Sequence, residues 1–139
     1  APALGVIFDL NSDRLYRGVV GQGAEVDGDP LRVSSVAEAG QAVLATGFPS
    51  GRSYDREDLK EFISKVRRFK KIRMIGSAAM SLAYVAQGTW EAYHEENIFL
   101  WDVAAGLALV EAAGGKVVCS ELSSEGTFNV TASNGQVSL

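Results

Sequence analysis

Ile98-Phe99-Leu100-Trp101-Asp102-Val103-Ala104-Ala105-Gly106 is the stretch on which the fold of this chain turns. An apolar run leads straight into a series of small residues, and an aspartate stands at the join. Val103 to Ala113 has helix-forming composition, and Gly114-Gly115 ends it, as glycine does in the left-handed position after a helix. Ala104, Ala105, Gly106 and Ala108 have almost no side-chain bulk, so another backbone or a ligand can come close to this helix. Asp102 falls where an N-cap is expected, and its carboxylate can accept from the free N–H groups of the first turn. The positive end of the helix also favours anions, phosphate included. A carboxylate beside a phosphate needs a cation between them, and Mg²⁺ is the usual one. Two readings of Asp102 therefore stand: a cap on a buried helix, which is the commoner role, and a metal ligand aimed at a phosphate.

Upstream, Trp90 to Glu95 alternates as a strand, with Trp90, Ala92 and His94 on one face and Glu91, Tyr93 and Glu95 on the other. Gly76-Ser77-Ala78-Ala79 opens a second helix that Gly88 closes, and Ile72 to Ile75 reads as a strand before it. Leu59, Phe62, Ile63, Val66 and Phe69 recur at helical spacing, giving a one-faced amphipathic helix that begins near Ser53 to Asp55. Ala42 to Thr46 is a short buried strand before the loop Gly47 to Arg52. Leu4 to Phe8 and Leu15 to Val20 form a hairpin. Gly21-Gln22-Gly23-Ala24 begins like a dinucleotide fingerprint, but no helix follows, so it is a tight bend. Asp27-Gly28-Asp29-Pro30 is a hairpin turn whose aspartates form the turn rather than bind a metal. Lys116 to Cys119 and Phe128 to Ala132 are closing strands. Helices that follow strands, twice with glycine or aspartate at the turn, imply a layered α/β or α+β fold, a single domain over residues 1–139. Ligands of such sheets gather at the carboxyl ends of strands, where Gly76-Ser77-Ala78 and Asp102 both fall.

Composition bounds the function. The 139 residues carry 13 Lys and Arg against 17 Asp and Glu, a net charge of −4, so no basic face suggests nucleic acid. The basic run from Lys65 to Lys71 lies at the end of a helix and complements its dipole. No apolar run is long enough to span a membrane. The single cysteine, Cys119, excludes an internal disulfide, suits a reducing, cytoplasmic setting and is expected to be a buried small residue. Ala1 starts close to a strand with neither initiator methionine nor leader, which implies a cut within a longer chain.

Taken in order, these pieces resemble the C-terminal half of the inositol monophosphatase family of Mg²⁺-dependent phosphomonoesterases. The matching stretches are Gly5-Val6-Ile7-Phe8 through Asp27-Gly28, Thr46-Gly47-Phe48-Pro49, Arg73 to Ala79, Glu91 to Gly106, and Gly114-Gly115 with Ala132 to Gly135. The resemblance implies that Asp102 helps to hold catalytic metal. It implies that Gly76, Ser77 and Ala78 contact the substrate's hydroxyl and phosphate region. It further implies that Glu95 bonds a polyol hydroxyl and that Arg73 lies near the substrate-binding edge. Without it, these residues read as a helix opening and solvated strand charges.

The family's first signature, Asp-Pro-Ile/Leu-Asp-Gly-Thr, supplies two further metal-binding aspartates, and an earlier helix supplies a glutamate. Neither is found here, because Asp29-Pro30 is followed by Leu31-Arg32. One carboxylate does not make a Mg²⁺ site, so the 139 residues alone are expected to be inactive. The implied function is hydrolysis of inositol phosphate or a related sugar phosphate by metal-activated water. A 3′-nucleotidase or fructose-1,6-bisphosphatase type of the same superfamily remains open. So does a non-catalytic remnant that binds ligand or itself. The implied partner is a small phosphate monoester, with neither nucleic acid nor membrane, and the reading admits a homodimer.

Overall fold

The computed structural model describes residues 2–48 and 56–139. Among these residues the chain forms two sheets with a pair of helices between them. The first sheet is an antiparallel meander of β1 (Leu4–Asp9), β2 (Arg14–Val19), β3 (Gly23–Val26) and β4 (Asp29–Leu31). Its turns come from local chemistry. Asp27 and Gly28 both take positive φ, and the Asp27 carboxylate accepts from the Leu15 N–H at 2.8 Å and from Arg14 at 3.1 Å. Asp27 is thus a turn former, as its sequence implies. Pro30 is accommodated because β4 is an edge strand.

The second sheet has the order β6-β5-β7-β9-β8, from β5 (Val43–Thr46), β6 (Lys71–Arg73), β7 (Ala92–Phe99), β8 (Lys116–Cys119) and β9 (Thr127–Ser133). β5 pairs in parallel with both β6 and β7, while β9 runs antiparallel to β7 and β8. The layered α/β architecture is therefore as the sequence implies. Two strands differ from expectation by more than one residue at an end. β6 stops at Arg73, leaving Met74 and Ile75 exposed beyond it. β7 excludes Trp90 and Glu91 and runs on to Phe99. Glu91 is instead a buried carboxylate that accepts from Ser34 at 2.9 Å and from the Val43 N–H at 2.6 Å.

α2 (Ala78–Ala86) and α3 (Leu100–Ala112) pack on each other between the sheets. Leu82, Val85, Val103, Leu109 and Val110 are fully buried there with Tyr16 and Tyr93. Each such aliphatic side chain contributes about 1.5–3 kcal/mol through burial. The small residues of α3 make the packing feasible. A Cβ on Gly5 of β1 would run into the Ala105 carbonyl, and one on Gly106 would lie 2.5 Å from Leu82. The Tyr16 hydroxyl donates to Gln87 at 3.0 Å, tying the first sheet to the end of α2.

The other face of the second sheet carries a smaller cluster of Ala42, Leu44, Phe69, Ala92 and Val137, beside α1 (Arg56–Arg68). The expected helix start near Ser53 to Asp55, and the loop from Pro49 to Arg52, lie outside the described residues. The amphipathic pattern of α1 is only partly used. Phe62 meets Phe48 at 5.1 Å, but Leu59, Ile63 and Val66 are exposed. Cys119 is also exposed, contrary to the expectation of burial, because β8 is an edge strand. No described helix is long and apolar enough to cross a membrane.

Substituting Gly5 by Ala is expected to lower stability by about 3 kcal/mol, because the obstacle is backbone and cannot swing aside. Gly40→Ala, where a Cβ would meet open space, is expected to stay within about 0.5 kcal/mol of the parent. Urea denaturation of both variants checks the contrast.

Candidate functional site

The parallel strands β5, β6 and β7 end on the same side of the second sheet, and the turns after them open one cleft of about 630 Å³. Gly76, Ser77, Ala78, Glu95 and Asp102 all line it. The two sequence-distant turns therefore meet in space. Arg73 does not line the cleft. It stands exposed on β6, with its guanidinium turned to the Ile72 carbonyl at 3.2 Å.

Gly76 takes φ +72° with open space where a side chain would be, so the turn presents backbone to the cleft. Ser77 caps α2, its hydroxyl oxygen accepting from the Met80 N–H at 3.2 Å. The N–H groups of Ala78 and Ala79 remain at the open end of the helix.

The start of α3 departs from expectation. Phe99 is the N-cap, without a side-chain bond, and the helix begins at Leu100. Asp102 lies in the first turn rather than capping it, because β7 runs directly into the helix and leaves no residue for a cap loop. Its carboxylate is exposed and makes no hydrogen bond or ion pair with any described residue. It is a free oxygen donor at the positive end of a helix.

Glu95 is held differently. The Tyr93 hydroxyl donates to Glu95 Oε2 at 2.6 Å, and the carboxylate lies over Gly47. Burial drives the Tyr93 phenol far above its ordinary range, and the bond to Glu95 and the charges of Glu95 and Asp102 add to this. The alternation of β7 breaks just beyond, where the register shifts between Glu95 and Ile98 and Asn97 takes φ +53°. Thr46, Gly47, Phe48, Asn97, Phe99 and Trp101 also line the cleft, and sequence reasoning assigned them no role. The asparagine in a strand was a usable signal, since asparagine tolerates left-handed backbone. Phe99 and Trp101 stack at 4.4 Å beside the mouth.

The cleft is lined by two carboxylates and two helix starts, and by no Lys, Arg or His among the described residues. No three His, Cys, Asp or Glu side chains among them converge on a metal position. Asp102 suits a hard cation such as Mg²⁺, but the described donor set is incomplete for one.

The model of the inositol monophosphatase family matches residues 1–138. This chain belongs to that family. It is 35% identical over 119 residues to inositol monophosphatase 2 of Rattus norvegicus, covering 82% of this chain and 40% of the relative. It is 41% identical over 117 residues to Nus factor SuhB of Xylella fastidiosa, covering 84% and 42%. The solved inositol monophosphatase of Anabaena superposes with a TM-score of 0.88 at 37% identity, covering 99% of this chain and 57% of that one. The chain thus spans about half the length of the inositol monophosphatase relatives it matches. Phosphatase chemistry on small phosphate monoesters, generally dependent on Mg²⁺, is a property of the family.

Beside the cleft, in a small adjoining pocket that Glu95 also borders, this family member places its single histidine. His94 Nδ1 is 2.9 Å from Thr131 Oγ1, and Nε2 is 3.8 Å from Glu96. Burial holds its pKa below the ordinary 6.5, and Lys65 acts in the same direction, while Glu96 and Glu61 oppose them. A group that resists protonation when folded makes the unfolded chain the better proton acceptor. Stability should therefore fall as pH drops below about 6.5, down to the folded-state value. Urea midpoints at pH 7.5 and 5.5 should show this loss, and His94→Gln should reduce it. An NMR titration of the ring giving 6.5 or higher would contradict the assignment.

Proposed function

We propose that this chain supplies the substrate-facing part of a Mg²⁺-dependent phosphomonoesterase site, acting on inositol phosphate or a related sugar phosphate. The observation that carries the reading is the charge pattern of the cleft. Two helix starts favour an anion, two carboxylates oppose one, and no cationic side chain among the described residues lines the space. A phosphate is accommodated only if a cation is shared with the carboxylates.

In this reading Asp102 is one oxygen donor to Mg²⁺, which when bound activates a water and offsets phosphate charge. The remaining donors are not among the described residues. The backbone of Gly76, Ser77 and Ala78 faces the phosphate and the neighbouring hydroxyl. Glu95 accepts from a polyol hydroxyl, and Arg73 adds positive charge on the approach. Stacked Phe99 and Trp101 keep the adjoining wall apolar and limit water. The single cysteine is consistent with a cytoplasmic setting.

The full-length native protein should release phosphate from inositol 1-phosphate only with Mg²⁺, and Asp102→Asn should reduce kcat/KM by about a hundredfold or more. The 139 residues alone should show no such turnover. Full activity in Asp102→Asn, or activity of the 139 residues that Asp102→Asn abolishes, would refute the respective statement.

Self-association belongs to the second reading, in which the 139 residues act alone as a non-catalytic module. Leu4, Val6 and Phe8 lie exposed on one face of β1, an edge strand of the first sheet among the described residues, and such an exposed apolar strand favours pairing with a second copy. Sedimentation at micromolar concentration should give a dimer, and a monomer at every concentration would count against it.

A further inference from the structure

We propose that Tyr93 is the positioning residue for Glu95, its buried hydroxyl fixing which carboxylate oxygen meets the substrate. The proposal rests on the reading of Glu95 as the acceptor of a substrate hydroxyl, and it adds what gives that acceptor its direction.

Glutamate has three side-chain torsions, and a free one would sample many orientations in an open cleft. Here one oxygen is fixed and the other is not. Oε2 accepts from the Tyr93 hydroxyl at 2.6 Å, whereas Oε1 has no hydrogen-bond partner among the described residues. Tyr93 is 1% exposed, so its ring is locked by the core and its hydroxyl is a stationary donor. With its pKa far above the ordinary range, the phenol remains protonated and keeps donating. Gly47 supplies the floor. A Cβ there would lie 2.5–2.6 Å from both oxygens and the carboxyl carbon of Glu95, so any side chain displaces the group. The register shift after Glu95 makes Tyr93 and Glu95 the final pair on this face before β7 changes course. A carboxylate oriented beforehand loses little freedom when a ligand arrives, which is how a bond distant from the ligand acts on its binding.

The experiment uses the full-length native protein with inositol 1-phosphate and Mg²⁺. Tyr93→Phe keeps the ring and is expected to raise KM about tenfold, with kcat within about twofold. Gly47→Ala should move KM in the same direction. Added to Glu95→Ala, Tyr93→Phe should produce no further change, because its effect passes through Glu95. An unchanged KM in Tyr93→Phe, or an effect that adds fully to that of Glu95→Ala, overturns the proposal.

A second readout needs no turnover. In protein carrying ¹³Cζ-labelled tyrosine, the Tyr93 resonance should follow an acid titration, lose that inflection in Glu95→Gln and keep it in Asp102→Asn. Loss of coupling in the parent overturns the positioning role while leaving the reading of Glu95 intact. Intact coupling with an unchanged KM in Glu95→Ala overturns the substrate reading, and the positioning role with it.

Discussion

Backbone approaching backbone is the constraint on which this structure depends. Helix α3 lies between two sheets, and it fits there because Gly5 admits the Ala105 carbonyl and Gly106 admits Leu82. At the far end Gly115 lets the chain pass the Ser133 carbonyl and Val110. Bulkier residues at these points would push the layers apart and expose Val103, Leu107 and Leu109. The position of α3 in turn fixes where β7 must end, and so where the helix start opens into the cleft.

That opening explains why one short segment carries two kinds of chemistry. β7 brings Glu95 to the cleft and buries Tyr93 in the core, both as strand residues already held by pairing with β5 and β9. Three residues beyond the bulge at Asn97 the same chain is helical, and Asp102 stands in its first turn. One carboxylate is tethered and the other is free. The free one suits exchangeable cation binding, and the tethered one suits recognition of a fixed hydroxyl.

Much of this was legible because it depends on local chemistry. Asp27-Gly28 specifies its turn, Gly76-Ser77-Ala78-Ala79 its helix opening, and the run from Val103 to Gly115 its helix and stop, each within a few residues. The juxtaposition of Gly76-Ser77-Ala78 with Asp102 was anticipated only conditionally, since it depends on β5, β6 and β7 lying side by side. What failed depended on neighbours. Asp102 has the residue type of a cap, but the strand runs into the helix at Phe99 and occupies that place. Cys119 belongs to a strand-like run, yet its strand closes an edge. The stripe on α1 has core periodicity, although among the described residues no layer covers Leu59, Ile63 and Val66. The pairing of Tyr93 with Glu95 lay within the alternation of β7, but periodicity places side chains on a face without saying which of them bond.

The docking of α3 on β1 joins residues 100 positions apart, Gly5 and Ala105. The meander of β1 to β4 closes through short turns and has every pairing it needs within residues 4–31. Loop closure over such short spans is rapid, whereas closing a span of about a hundred residues is entropically expensive. The hairpins can therefore form early as a fluctuating sheet, yet Ile7, Tyr16 and Val26 stay wet until α3 has been made and returns. The first part of the chain to find its pairing is among the last to gain its core, so refolding should be limited by the return of α3 rather than by strand formation.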